Sequence, residues 1–222
     1  LAARDAGATV RYVDIHAEDC TLDLNDFRSK INEKTKLVAV GCASNAVGTI
    51  NPVKQICAWA KDTGALSFLD AVHFAPHASI DVQDWGCDFL ACSAYKFFGP
   101  HVGMLYGRRA LLESIQPYKL RPATDQLPGR WMTGTQNHEG IVGVFAAIQY
   151  LSALGSNDAD KRIGEPNRAL LQSAFQAISE YEQSLLAILI DGLQRIEGLK
   201  IYGITDPQRF NERLPTVSIT HP

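Results

Sequence analysis

The chain has 222 residues, 46% of them hydrophobic and 20% charged, with a formal net charge of -3. That is room for one large core or one and a half domains, in a composition typical of globular rather than disordered proteins. The 21 Lys and Arg are scattered, which argues against a nucleic-acid partner. No apolar run approaches a membrane span and Leu1-Ala2-Ala3-Arg4-Asp5 is not a signal peptide, so a soluble, cytoplasmic chain with no membrane partner is expected.

In chain order, Ala8 to Ile15 reads as a strand, and Leu24, Phe27 and Ile31 mark one face of a short helix. Lys36 to Cys42 is a second strand. Asn51-Pro52 offers an N-cap followed by proline at the first helical position. Val53, Ile56, Cys57 and Ala60 then repeat at helical spacing, and Gly64 closes that helix. Leu66 to Asp70, Asp88 to Ser93 and Val102 to Tyr106 are further strands. Strands separated by helical crossovers predict an α/β layered domain whose sheet is mixed but mostly parallel.

Past Leu120 the character changes. Arg121 to Gln136, rich in Pro, Gly and polar residues, reads as a long loop, and Gly140 to Leu154 as an apolar helix. A further helix runs from near Pro166 to about Glu197, with Leu171, Phe175, Ile178, Leu185, Leu189 and Ile196 along one side. At roughly thirty residues it exceeds the usual globular length and is expected to bridge two domains. Leu199 to Ile204 and Thr216 to Thr220 read as strands that open a second, smaller α+β domain. The division expected is a partial large domain over 1–160, then the bridging helix and the start of the small domain over 161–222.

Five cysteines is an odd count, and Cys42, Cys57, Cys87 and Cys92 all fall in apolar runs, as small buried hydrophobes do. No disulfide framework is expected. Nor is a metal site: His73, His77, Cys87 and Cys92 include no C-x-x-C pair, and Cys87 and Cys92 lie an odd number of residues apart, facing opposite ways on one strand.

The chemistry concentrates at strand ends. Lys96 follows the apolar run Phe89-Leu90-Ala91-Cys92-Ser93 and is followed by Gly99-Pro100, which breaks any continuing element. A lysine held where a buried strand runs out loses hydration, which favours the free nucleophilic amine. Leu66-Ser67-Phe68-Leu69 ends in a carboxylate, Asp70. A lysine and a carboxylate at adjacent strand ends are what a pyridoxal phosphate site needs: the amine bonds the aldehyde and the carboxylate keeps the pyridine nitrogen protonated. Ligands of parallel sheets bind beyond the carboxyl ends of the strands, and Asn45, Asp70 and Ser93 to Lys96 each follow such an end. Taken singly, Asp70 also suits a helix N-cap, Ser93 a turn cap, and His73 a packed core imidazole. His77, His101 and His138 read as structural or exposed, and Trp59 and Trp85 as core or rim.

Four motifs, in this order, resemble the class V aminotransferases, fold-type I pyridoxal phosphate enzymes, and among them the cysteine desulfurases and desulfurase-like proteins. They are Ser44-Asn45-Ala46-Val47-Gly48-Thr49-Ile50-Asn51-Pro52, Asp70-Ala71-Val72-His73, Ser93-Ala94-Tyr95-Lys96-Phe97-Phe98-Gly99-Pro100 and Gly134-Thr135-Gln136-Asn137. The resemblance implies that Lys96 is the Schiff-base lysine and the proton carrier at the substrate Cα, and that Asp70 pairs with the pyridine nitrogen. It implies that Ser93 binds the cofactor phosphate, and that Asn45 lies near the phenolic oxygen and the substrate carboxylate. Thr135 would reach the phosphate of a partner subunit's cofactor, in a homodimer with shared active sites. Trp131 is, by its place in the loop before Gly134 and not by the resemblance, a candidate to line a dimer-shared entrance. His73 stands where desulfurases usually carry glutamine as donor to the phenolic oxygen, and Tyr95 where they usually carry histidine. An imidazole still donates, with a charge that depends on pH, and a phenol can donate to phosphate but is a poor proton shuttle near neutrality.

The family's phosphate-binding turn and ring-stacking histidine are expected before Leu1, and its sulfur-accepting cysteine and substrate-clamping arginine beyond Pro222. The chain therefore reads as an internal piece of an enzyme about twice its length. The expected function is a desulfurase-like carbon–sulfur lyase acting on an amino acid, with a sulfur-acceptor protein as possible partner. An aminotransferase, epimerase or β-eliminating lyase would share these motifs. A non-enzymatic dimerisation scaffold is the alternative of a different class.

Overall fold

The computed structural model describes residues 2–156 and 165–222. A short helix α1 (Ala2–Asp5) leads into extended chain and helix α2 (Leu24–Lys30). The sheet-forming region follows: β1 (Leu37–Gly41), α3 (Val53–Asp62), β2 (Leu66–Asp70), α4 (Val82–Trp85), β3 (Phe89–Ser93) and β4 (Gly103–Gly107). Beyond it come α5 (Arg109–Ser114), α6 (His138–Leu154), α7 (Arg168–Gln194), β5 (Lys200–Tyr202) and β6 (Ser218–Thr220).

The main sheet has the order β1-β2-β3-β4. β1, β2 and β3 run parallel, and β4 returns antiparallel to β3 through the turn after Ser93. This is the mixed, mostly parallel sheet that the strand–helix alternation predicts. Period-two alternation decides which side chains go inside. Val38, Ser67, Leu69 and Leu90 are buried on the face covered by α3 and by the 71–78 loop, where Ile56, Cys57, Ala60 and Phe74 pack. On the other face Leu37 and Leu105 stay more than half exposed, and Phe68 stacks on Phe89 at 6.3 Å. Ser67 is tolerated inside because Asp88 Oδ2 accepts from both its backbone N–H (2.8 Å) and its hydroxyl (3.2 Å), while Arg108 pairs with the other carboxylate oxygen at 3.0 Å.

Local sequence explains most helix ends. Asp23 caps α2 by accepting from the N–H groups of Asn25 and Asp26. Asn137 and Asn167 cap α6 and α7 in the same way. Gly64, at φ +76°, ends the turn after α3 as expected. Asn51 departs from expectation. Its side chain donates to the Gly41 carbonyl at 2.8 Å and so pins the end of β1, and Pro52 takes the N-cap position of α3 with no side-chain cap.

The strand expected over Ala8 to Ile15 is not formed. The segment is extended but makes only the isolated Ile15–Leu22 bridge, and Val10, Tyr12 and Ile15 stay exposed. With no strand beside it among the described residues, side chains of α2 hold its backbone instead. Lys30 Nζ donates to the Tyr12 carbonyl at 2.7 Å, and Asp26 Oδ2 accepts from the Asp14 N–H at 2.8 Å. The loop from Arg121 is interrupted by a 3₁₀ turn, Gly129–Trp131, that the composition did not signal.

The long helix α7 has 27 residues, and its two halves do different work. Leu171, Phe175 and Ile178 pack with Val144, Ala147 and Leu151 of α6, whereas Leu186 and Ile190 pack with Phe210 beneath β5 and β6. Those last strands pair antiparallel and are shorter than expected, because only three residues on each find a partner. The boundary expected at 160/161 lies outside the described residues. No helix among the described residues is long and apolar enough to cross a membrane.

Candidate active site

Parallel pairing brings three strand ends to one rim. Gly41, Asp70 and Ala91 lie side by side, and the ladder continues as Cys42 N–H donates to the Asp70 carbonyl (2.7 Å) and Ala71 N–H to the Ala91 carbonyl (2.8 Å). The chain then leaves β1 through the Asn45 turn, β2 through the His73 loop, and β3 through a 3₁₀ turn, Ala94–Phe97, that carries Tyr95 and Lys96. Asn45, Asp70, His73, Ser93, Tyr95 and Lys96 thus all belong to one edge of the sheet.

Asp70 is exposed, and its Oδ1 accepts from the Val72 N–H at 2.9 Å, which fixes the carboxylate against its own loop. Asn45 is exposed at the tip of a turn whose backbone N–H groups, from Ala46 and Val47, donate to Ser44 Oγ. Ser93 is half-buried, and its hydroxyl caps nothing in the turn that follows. That turn is tight. Phe98 adopts φ +68°, a conformation uncommon outside glycine, and Gly99 closes on the Ala94 carbonyl at 2.9 Å. Anchored by buried Ala94 and Phe97, the turn projects Tyr95 and Lys96 outward.

Lys96 is exposed, so the dehydration expected of it is not produced by the described residues. Its Nζ lies 5.3 Å from the centre of the Tyr95 ring, within cation–π range. Tyr95 in turn stacks on His101, with centroids 5.3 Å apart and planes inclined by 18°. His73 is half-buried, and its Nε2 is 2.8 Å from Thr216 Oγ1. Burial pulls the His73 pKa below its ordinary value, and the charges of His77 and Lys96 push the same way. The His77 ring meets His73 edge-on at 5.5 Å, and its Nδ1 lies 2.8 Å and 2.9 Å from the two carboxylate oxygens of Glu182 on α7.

Thr135 stands apart. It is exposed on the approach to α6 and shares no hydrogen bond with the rim residues. The Trp131 indole N–H donates to the Leu112 carbonyl at 3.0 Å and so ties the ring to α5. Among the thiols, Cys42, beneath the rim, is pushed up to about 12 by burial and then by the Asp70 charge, and burial raises Cys87 to about 11. Neither is a thiolate near neutral pH.

Three contributors escaped the reading of the sequence: Thr216, Glu182 and Arg213. Arg213 is 3% exposed, and its guanidinium donates to the backbone carbonyls of Leu214, Ile204 and Thr216. Burial lowers its pKa, yet those carbonyls hold the segment carrying Thr216 in place beside His73. A cavity of about 210 Å³ beside the His77–Glu182 pair, lined also by Gln183, Asn211 and Arg213, does not reach Lys96 or Asp70.

Several known proteins are similar to this chain over most of its length. A probable cysteine desulfurase from Halalkalibacterium halodurans is 37% identical over 92% of the chain and 51% of its own length. A cysteine desulfurase from Pectobacterium carotovorum is 33% identical over 91% of the chain and 48% of its own length. Among solved structures, the apo cysteine desulfurase of Thermococcus onnurineus NA1 superposes with a TM-score of 0.80 at 28% identity, over 99% of this chain and 52% of that one. Cysteine desulfurase CsdA from Escherichia coli gives 0.73 at 26% identity, over 90% and 48%. The chain spans about half the length of the curated relatives it matches. Its fold is that of the fold-type I enzymes, and the model of the aminotransferase class-V family matches residues 1–221, so the chain belongs to that family.

Proposed function

We propose that the rim at the carboxyl ends of β1, β2 and β3 binds pyridoxal phosphate and acts on an amino acid, with desulfurase-like carbon–sulfur cleavage as the reaction. The observation that carries this reading is the register that sets Asp70 beside the end of β3, where Lys96 follows. The residues present fit the group. Lys96 supplies an amine for its aldehyde, Asp70 an anion for its ring nitrogen, and Ser93, Asn45 and His73 polar groups for its oxygens. The Asp70 carboxylate keeps one oxygen without a protein hydrogen bond among the described residues, and the Asn45 amide has no protein partner there either.

When bound, the cofactor supplies an electron-accepting ring that stabilises negative charge at the substrate's Cα. Asp70 holds the ring nitrogen in its protonated state, Lys96 anchors the aldehyde carbon and carries the proton at Cα, and Asn45 orients the substrate carboxylate. Ser93 binds the phosphate, with Tyr95 beside it. His73 donates to the phenolic oxygen. Thr135, which shares no hydrogen bond with its own rim, serves the partner's site in a homodimer, and sulfur passes to an acceptor protein. Cys42 and Cys87 are unsuited to relay it, because burial keeps both thiols protonated. A soluble, cytoplasmic enzyme is part of the same reading.

The test is spectroscopic. Purified protein given pyridoxal phosphate is expected to develop the visible band, near about 410–430 nm, of a lysine adduct. Borohydride should then fix the cofactor's mass on the Lys96 peptide, and Lys96→Ala should abolish both signals. Protein that stays colourless, with nothing trapped on Lys96, sinks the reading.

A further inference from the structure

The turn that carries Lys96 is closed at its neck by the β3–β4 ladder. Ser93 pairs with Gly103, and the Ala94 N–H donates to the Val102 carbonyl at 2.9 Å. Carried one residue further, the same register sets Tyr95 opposite His101. Residues opposite each other across an antiparallel pair bring their side chains together. The two rings do stack, with centroids 5.3 Å apart and planes inclined by 18°. Lys96 comes next in the chain, and its Nζ lies 5.3 Å from the centre of the Tyr95 ring. Among the described residues, neither the Lys96 ammonium, the Tyr95 hydroxyl nor the His101 imidazole makes an ion pair or a hydrogen bond. Ring contacts, not hydrogen bonds, order these three side chains.

We propose that His101 is a positioning residue for the cofactor-binding lysine: stacked on Tyr95, it holds that ring as the platform on which the Lys96 ammonium rests at the rim before the cofactor arrives. The face of an aromatic ring is its negative side and attracts an ammonium. A lysine stem free in solvent spreads over many rotamers, and resting on a ring narrows that spread, so less freedom is lost when the amine is engaged. A ring serves in this way only while it is itself held. Tyr95 is exposed, and among the described residues its ring contacts are with His101 and Lys96. His101 therefore acts through Tyr95 and touches neither cofactor nor substrate. The platform needs the face of the Tyr95 ring and not its hydroxyl, so phenylalanine can replace tyrosine there and leucine cannot. The proposal rests on the reading of Lys96 as the reactive amine, and it adds what keeps that exposed amine in place.

Lysine methyl spectra without cofactor, followed by adduct kinetics, test this. Reductive methylation with isotope-labelled formaldehyde tags each Nζ and keeps its positive charge, and Lys96→Arg assigns the Lys96 signal. In the parent that signal is expected upfield of the other lysines, shifted by the Tyr95 ring current. Tyr95→Leu should abolish the shift and Tyr95→Phe retain it. His101→Ala should shrink it, while His101→Phe, which keeps a ring to stack, restores it. In unmodified protein mixed with pyridoxal phosphate, the visible band should form about two- to fivefold more slowly in His101→Ala, the factor that an exposed cation–π contact carries, and recover in His101→Phe. An unshifted Lys96 signal in the parent, a shift that His101→Ala leaves intact, or an adduct rate that His101→Ala leaves at the parent's value overturns the inference. Protein that never colours but shows the His101-dependent shift loses the function and keeps the platform. Protein that colours with its Lys96 signal unshifted does the reverse.

Discussion

In the four-stranded sheet, Leu69 and Leu90 are buried under α3 and the 71–78 loop, within a cluster that also takes in Cys42, Val53, Cys57 and Phe74. Beneath β5 and β6 the corresponding cluster consists of Leu186, Ile190 and Phe210, and Ile219 of β6 remains 48% exposed. The first region has enough core to hold its own register, since each inward side chain meets several others. The second leans on the first through backbone. Ile50 N–H donates to the Glu212 carbonyl at 2.9 Å, Leu214 N–H to the Gly48 carbonyl at 2.8 Å, and Thr49 bridges Arg213. The difference teaches where the rim gets its geometry. The large sheet sets Asp70 and Lys96, and the smaller region adds Thr216 only as long as that seam holds.

The seam is the sharpest place to break this dependence. Gly48 sits at φ +78°, and a Cβ there would meet the Leu214 carbonyl oxygen at 2.4 Å and that of Thr216 at 2.9 Å. Both contacts are backbone, so neither can rotate away. Gly48→Ala is expected to destabilise by about 4 kcal/mol in denaturant unfolding. Hydrogen exchange should rise first over 210–220 rather than in β1 to β3, and uniform acceleration would mean that the two regions are one unit.

Core truncation sharpens the same contrast. Leu69→Ala, at a fully buried position, is expected to cost about 3–4 kcal/mol, and Ile190→Ala about 2–3 because its sparser surroundings can collapse into the space. Paired unfolding curves check the order, and equal losses would show the smaller region to be as tightly packed as the larger.

The smallest effect is the pH response of the His73–Thr216 link. His73 binds its proton less readily folded than unfolded, where its pKa is near 6.5. Its contribution to stability is therefore complete above 6.5 and is lost as pH falls from there through the lower folded value. Melting temperature measured against pH should decline in that window for the parent and decline less for His73→Gln. Identical slopes would show that the link carries no titration.

Much of this architecture is written in local pattern. The apolar runs ending at Asp70 and Ser93, and the i, i+3, i+4, i+7 spacing of Val53, Ile56, Cys57 and Ala60, define strands and helix without reference to the rest of the chain, because side-chain period alone decides which face is buried. Once three such strands are parallel, their carboxyl ends must share an edge, so the neighbourhood of Asn45, Asp70 and Lys96 follows from the sequence. The tertiary structure decided what stands behind that edge. Thr216 is 143 residues from His73 and Glu182 is 105 from His77, distances at which no periodicity operates. Whether Ala8 to Ile15 finds a strand to pair with, whether Asn51 caps a helix or pins β1, and whether Lys96 is covered depend likewise on which groups arrive from elsewhere. A hydrogen bond or a burial needs a partner, and local pattern specifies only one side of it.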